Sequence, residues 1–291
     1  MTFVRKKEKE RFDRLIRDAL GLPDNSFGYC VLPNRDRDYR EHIYDLYYSN
    51  EEFDAFCTVM KERYFWIYES YVRGKGGELV GAPPKMASVA SSSRFCYLAL
   101  RDASIAVFCE KEKQIGKFEF EKDLPVKDVN GTHPQIDAFA ETERTIHFLE
   151  FKCHEVFDEH EKELSRQYDP YLERWGIHRS SKAIPFSEFG LEGIGLFDLK
   201  QFLTHAVGVA SYKADGKRKI LSYVYFKPTG ADHCLYERLE KEIKTVFDSA
   251  ATRRICKAEG IELRLYYSEG DVMDGFEKAH PRLVLSSPLP D

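Results

Sequence analysis

No stretch of the sequence approaches the roughly 20 consecutive apolar residues that a membrane helix needs, and the segment from Met1 to Arg11 turns charged at once, without the apolar core of a secretory signal. The expectation is a cytoplasmic protein with no membrane partner. The seven cysteines are odd in number and scattered, with no C-x-x-C pair, which excludes a disulfide framework and a zinc ribbon. Neither G-x-x-x-x-G-K-[ST] nor G-x-G-x-x-G occurs, so no nucleotide cofactor is expected. His154-Glu155 begins like a zinc-protease motif, but the next histidine is His160, and the i, i+4 pair that holds zinc is missing. An excess of positive charge is lacking too: 44 Lys and Arg stand against 49 Asp and Glu, for a net charge of -5. That is not the balance of an indiscriminate nucleic-acid binder, although a basic groove can coexist with an acidic remainder. Arg5-Lys6-Lys7 and the Arg35 to Arg40 run have acids interleaved, as solvated faces do.

Apolar material, by contrast, is plentiful. Of 291 residues, 43% are hydrophobic and 14% aromatic, enough for a large core without staples. Residues 1–75 read as an N-terminal helical extension: Phe12, Leu15, Ile16 and Ala19 keep helix spacing, and Glu51 to Tyr71 is rich in aromatics that suit a core better than a base-stacking platform. Gly74, Gly76, Gly77 and Pro83-Pro84 then break the pattern. Residues 76–291 are expected to form the second unit. Ser88 to Ala103 suggests a helix. Alternation marks strands at Gly116–Glu121, Gln135–Ala140 and Thr145–Lys152, with Gly131 and the Glu141 to Arg144 segment as turns. A charged helix is expected over 158–175, a Gly- and Pro-containing loop to about 195, a helix over 198–212, a strand over 219–226, a helix over 236–258 and a strand over 261–267. This order gives an α/β fold, a mixed sheet with helices on its faces.

The chemistry-bearing residues fall in the middle of that order. Asp137 is placed near the end of the second strand, and the third ends in Glu150-Phe151-Lys152. Alternation puts Glu150 and Lys152 on one face and Phe151 in the core. If the two strands pair as a hairpin, Asp137 comes beside Glu150, and two close carboxylates call for positive charge between them. Mg²⁺, with Mn²⁺ as a substitute, is the natural occupant; Asp137, Glu150 and the backbone carbonyl of Phe151 supply its oxygen ligands. Lys152 would orient the attacking water and stabilise developing negative charge.

Pro134-Gln-Ile-Asp137 followed by Glu150-Phe-Lys152 resembles the PD-(D/E)XK signature of restriction-endonuclease-like nucleases, with two residues between Pro134 and Asp137. Around it, Gly76-Gly-Glu-Leu79, the Pro83 to Ser93 segment and Asp198 to Gly208 are similar to a bacterial family of restriction-endonuclease-like proteins within that superfamily, over roughly residues 75–270. The resemblance implies a restriction-endonuclease-like core, a central mixed sheet flanked by helices. It implies a third metal-site carboxylate at Glu78, which is also a position where a helix start uses an acid. It further implies that polar residues of the helix after the sheet, Gln201 and then His205, contact substrate or water, their alternative being ordinary helix surface. Glu155 either touches the ligands from outside or is a solvated carboxylate.

The function expected from this set is a Mg²⁺-dependent endonuclease hydrolysing DNA phosphodiester bonds, in restriction, defence or DNA processing. One site per chain cuts one strand, so a double-strand break takes a homodimer or two visits. Two other readings stand beside it: a catalytically inactive nuclease-fold module that binds DNA or protein, and an RNA-directed or structure-specific nuclease.

Overall fold

The computed structural model describes residues 50–74, 76–80, 84–88, 91–108, 112–127, 133–153, 160, 162–193, 195–228, 233–270 and 282–285. The expectations for residues 1–49, for Gly131 and for His154-Glu155 lie outside them. Six strands form one sheet in chain order: β1 (Gln114–Asp123), β2 (Gln135–Thr142), β3 (Thr145–Lys152), β4 (Arg218–Pro228), β5 (Ile261–Gly270) and β6 (Arg282–Leu285). β1, β2 and β3 run as an antiparallel meander, β3, β4 and β5 are parallel, and β6 returns antiparallel. The fold is therefore a mixed α/β sheet, as the alternating runs imply.

Each strand follows from its residues. The β2–β3 hairpin turns through Glu143 and Arg144, where the Thr142 hydroxyl accepts the backbone N–H groups of Arg144 (3.1 Å) and Thr145 (2.8 Å). β4 reads apolar almost throughout, and its residues from Lys219 to Phe226 are buried, because a parallel strand between two others is covered on both faces. Parallel neighbours need crossovers. α5 (Leu199–Ser211) links β3 to β4, and α6 (His233–Phe247) with α7 (Ala250–Glu259) links β4 to β5.

Ahead of the sheet lie α1 (Asn50–Arg63), α2 (Phe65–Arg73) and α3 (Ser92–Leu100), the last capped by Ser91, whose hydroxyl accepts from Arg94 N. Phe53, Met60, Ile67 and Tyr71 of α1 and α2 belong to the same buried cluster as the sheet. The two faces near the end of β3 are covered differently. Phe95 of α3 meets the Phe151 ring edge-on at 5.3 Å, while Phe148, two residues before Glu150 and so on its face, packs on Tyr212 at the end of α5.

Several expected elements change on folding. The helix over 51–71 divides at Tyr64, and that over 236–258 divides at Asp248-Ser249, where the Ser249 hydroxyl accepts Thr252 N to start α7. Among the described residues, only a 3₁₀ turn (Arg166–Tyr168) and the short α4 (Asp169–Arg174) form from the helix expected over 158–175. The chain there doubles back: Leu164 N donates to Lys182 O and Ile184 N to Lys162 O. The Arg179 guanidinium fastens the bend, giving hydrogen bonds to Asp169 and to the carbonyls of Leu164, Ser165 and Lys182. A helix would forfeit these bonds. Asp137 stands third in β2, near its start and not its end.

Gly208 sets how closely α5 approaches the sheet layer. A Cβ at this position would lie 2.8 Å from Leu124 Cβ, and Leu124 is itself tied down by its N–H to Pro134 O (2.8 Å). Alanine favours helix by about 1 kcal/mol over glycine, but overpacking a filled core costs about 1–3 kcal/mol. Gly208→Ala is therefore expected to lower the melting temperature in a thermal scan. A rise would mean that α5 has room to spare there.

Candidate active site

The strand register assembles a row of acids. Glu121 falls between the Phe120–Ala138 and Lys122–Ile136 pairs and so stands opposite Asp137. Asp137 in turn is one position beyond the Ala138–Leu149 pair, opposite Glu150. Glu150 pairs with Tyr223 on β4. Four adjacent strands thus contribute Glu121, Asp137, Glu150 and Tyr223 in a single line across the sheet, at the carboxyl end of β3.

Glu150 is the most heavily engaged member. Its Oε1 accepts from Lys152 Nζ at 2.6 Å and from Gln201 Nε2 at 2.8 Å, and its Oε2 lies 3.8 Å from His205 Nε2. The strand period brings Lys152 to the face of Glu150, and α5 carries Gln201 and His205 one turn apart onto the same carboxylate. The start of α5 is fixed by Asp198, which accepts Gln201 N (2.9 Å) and lies 3.5 Å from His160 Nδ1. Burial raises the Asp198 carboxyl, but these two partners outweigh it and leave it below the usual range. Asp137 is half-buried, and its Oδ2 accepts the Phe151 N–H at 2.6 Å. Burial first, and then the charges of Glu150 and Glu121, hold Asp137 well above the usual carboxylate range against the pull of Lys152.

Glu78 is buried, with Lys85 Nζ 3.2 Å from its Oε1. A methyl group on Gly76 would lie 2.6 Å from Glu78 Oε1 and 3.3 Å from Glu121 Oε2, so both carboxylates face that one backbone position. Glu121 links Glu78 to the pair at Asp137 and Glu150. Burial, followed by the charges of Glu78 and Glu150, pushes its carboxyl up to about 8 despite Lys85. The structure thus gathers Asp137, Glu150, Lys152, Gln201 and His205 and brings Glu78 to their edge; Glu155 lies outside the described residues.

Glu121 is the residue that sequence reasoning passed over. Alternation from Gly116 to Glu121 shows Phe118 and Phe120 pointing inward, which makes Glu121 look like solvent surface. Its backbone takes φ 51°, the left-handed region that a non-glycine residue seldom occupies, and its side chain joins the acids. The available signal was register: an acid at the end of the strand preceding Asp137 falls in line with it when the two pair.

Four carboxylates therefore meet two lysines here, with the His205 imidazole and the buried Cys96 thiol nearby. Burial and the nearby charge of Lys152 hold the His205 imidazole below its ordinary value, against Glu150, which favours the proton. Among the described residues no three His, Cys, Asp or Glu side chains form a ready ligand set. A hard cation such as Mg²⁺ asks for less, one or two carboxylates with water and substrate oxygen completing its shell, and the paired acids of neighbouring strands fit that need. No family model, curated protein or solved structure matches this chain. No described helix is long and apolar enough to cross a membrane.

The raised Glu121 carboxyl has a consequence for stability. An acid whose folded pKa lies above its unfolded value binds more protons in the fold, so stability falls as pH rises from about 4.5 toward 8. Urea denaturation without divalent metal is expected to show the wild-type chain losing roughly 3 kcal/mol more than Glu121→Gln between pH 5 and pH 8. Parallel curves for the two would show that Glu121 ionises freely in the fold.

Proposed function

We propose that this chain is a divalent-metal-dependent endonuclease of the PD-(D/E)XK superfamily, with a restriction-endonuclease-like core, that hydrolyses DNA phosphodiester bonds. One observation carries the reading: adjacent strands set Asp137 opposite Glu150, and Lys152 sits 2.6 Å from Glu150 on the same strand face. An acid pair with a lysine at hydrogen-bond distance is what phosphodiester hydrolysis needs, a place for a hard cation and a positive group for the pentavalent transition state. The crowding of Glu78 and Glu121 nearby strengthens the demand for positive charge.

When bound, Mg²⁺, or Mn²⁺ in its place, supplies charge for a phosphoryl oxygen and lowers the pKa of the attacking water. Asp137, Glu150 and the Phe151 carbonyl hold the cation in this reading, with Glu78 as a further acid at the edge. The Asp137 carboxylate is aimed by the Phe151 N–H, and Glu150 by Gln201. Lys152 then divides its charge between Glu150 and the reacting water, so replacing it removes transition-state stabilisation while leaving both acids in place. The chain is expected to act in restriction, defence or DNA processing, with two copies, or two visits, for a double-strand break.

Purified protein with Mg²⁺ or Mn²⁺ is expected to nick and linearise plasmid DNA and to stop on addition of a chelator. Lys152→Met should lower kcat by about 10²–10³-fold, and Asp137→Asn should abolish metal-dependent cutting. Duplex DNA, single-stranded DNA and RNA run in parallel decide the substrate. Intact DNA under both metals, or undiminished cutting by Asp137→Asn, would sink the assignment.

A further inference from the structure

Tyr223 closes the row of acids, and nothing in the reaction as proposed above uses it. It is 1% exposed, paired in register with Glu150, and its hydroxyl lies 3.2 Å from His205 Nδ1. His205 is 2% exposed, and its Nε2 faces Glu150 Oε2 at 3.8 Å, an electrostatic contact longer than a hydrogen bond. Buried so, neither residue can be a surface contact for a polymer.

A neutral imidazole carries one ring proton, and its neighbours decide which nitrogen holds it. The Glu150 carboxylate accepts only. A tyrosine hydroxyl both donates and accepts. The proton on Nε2 turns an N–H dipole toward Glu150 and leaves Nδ1 to receive the Tyr223 O–H. The opposite tautomer would aim the Nε2 lone pair at a carboxylate. We propose that Tyr223 is a positioning residue: its hydroxyl donates to His205 Nδ1, fixes the Nε2–H tautomer, and so directs an N–H dipole at Glu150 Oε2 while Lys152 and Gln201 hold Oε1. Both oxygens of the carboxylate are then oriented from its own sheet face. The value of this arrangement for metal affinity rests on the reading of Glu150 as a ligand; the tautomer itself does not. Groups behind metal-binding side chains commonly tune affinity by about 10–100-fold.

The test uses the full chain and has two arms. Proton–nitrogen correlation spectra of the histidine rings, with the His205 signal identified by its loss in His205→Gln, should show protonated Nε2 and an acceptor Nδ1 without metal present. Protonated Nδ1 overturns the relay. In the second arm, Mn²⁺ binding is followed by calorimetry. Tyr223→Phe keeps the ring that packs on Phe197 at 5.5 Å and removes only the hydroxyl, so it should melt near wild type yet bind Mn²⁺ about tenfold more weakly. His205→Gln keeps an N–H donor that has no tautomer to fix. In that background Tyr223→Phe should change affinity by less than about twofold, because residues in one network do not act independently. Equal weakening in both backgrounds, or none in the wild-type background, refutes the relay. A wild-type chain that takes up no Mn²⁺ and cuts no DNA would defeat the nuclease reading instead, and the ring spectra alone would then decide the role of Tyr223.

Discussion

Like charges held out of water repel, and the end of β3 holds more of them than its cations balance. Glu121, Asp137 and Glu150 stand in one row across three antiparallel strands, with Glu78 beside them. Among the described residues, Lys85 and Lys152 form ion pairs with this set. Such a cluster costs stability, because its members must either stay protonated or repel. The rest of the architecture can be understood as the frame that enforces this cost: the hairpin register, the close seat of α5 on Leu124 through Gly208, and the Asp198 cap that places Gln201. A group of acids held at such a cost marks a candidate functional site.

The hydrogen bonds around the acids are unequal. Glu150 is oriented from Lys152, Gln201 and the His205 ring, whereas Asp137 has the Phe151 N–H as its contact on Oδ2. Glu150 therefore behaves as the fixed point of the site and Asp137 as the member most responsive to charge. Lys152 serves two masters, since its ion pair lowers the cost of burying Glu150 and its position suits the stabilisation of negative charge in a reaction. The same residue that holds the fold together at this point is the one proposed to work in chemistry.

Much of this was legible in the sequence where side-chain period is strong. Gln135 to Ala140 and Thr145 to Lys152 alternate cleanly, and the short polar turn between them dictates an antiparallel pair, so the meeting of Asp137 with Glu150 follows from spacing. Their separation of four residues likewise puts Gln201 and His205 on one side of α5. What escaped depends on contacts between distant segments. The register of β1 against β2 is set across a long connection, which hid Glu121, and its left-handed backbone has no local sequence sign. The charged run before Trp175 has helix-like composition, yet Arg179 and the backbone of 182–184 offer it better hydrogen bonds than a helix would. β6, four residues long, is too short to show a period. Tyr223 reads as one more aromatic of a buried strand until its partner across the sheet is known.

The central claim is that the row at Asp137 and Glu150 is a divalent-cation site. Anomalous scattering from a crystal of the full chain grown with Mn²⁺ tests it most directly. A manganese peak is predicted between the Asp137 and Glu150 carboxylates, within ligand distance of the Phe151 carbonyl. A well-ordered site with no peak there, or manganese bound only elsewhere on the chain, would contradict it.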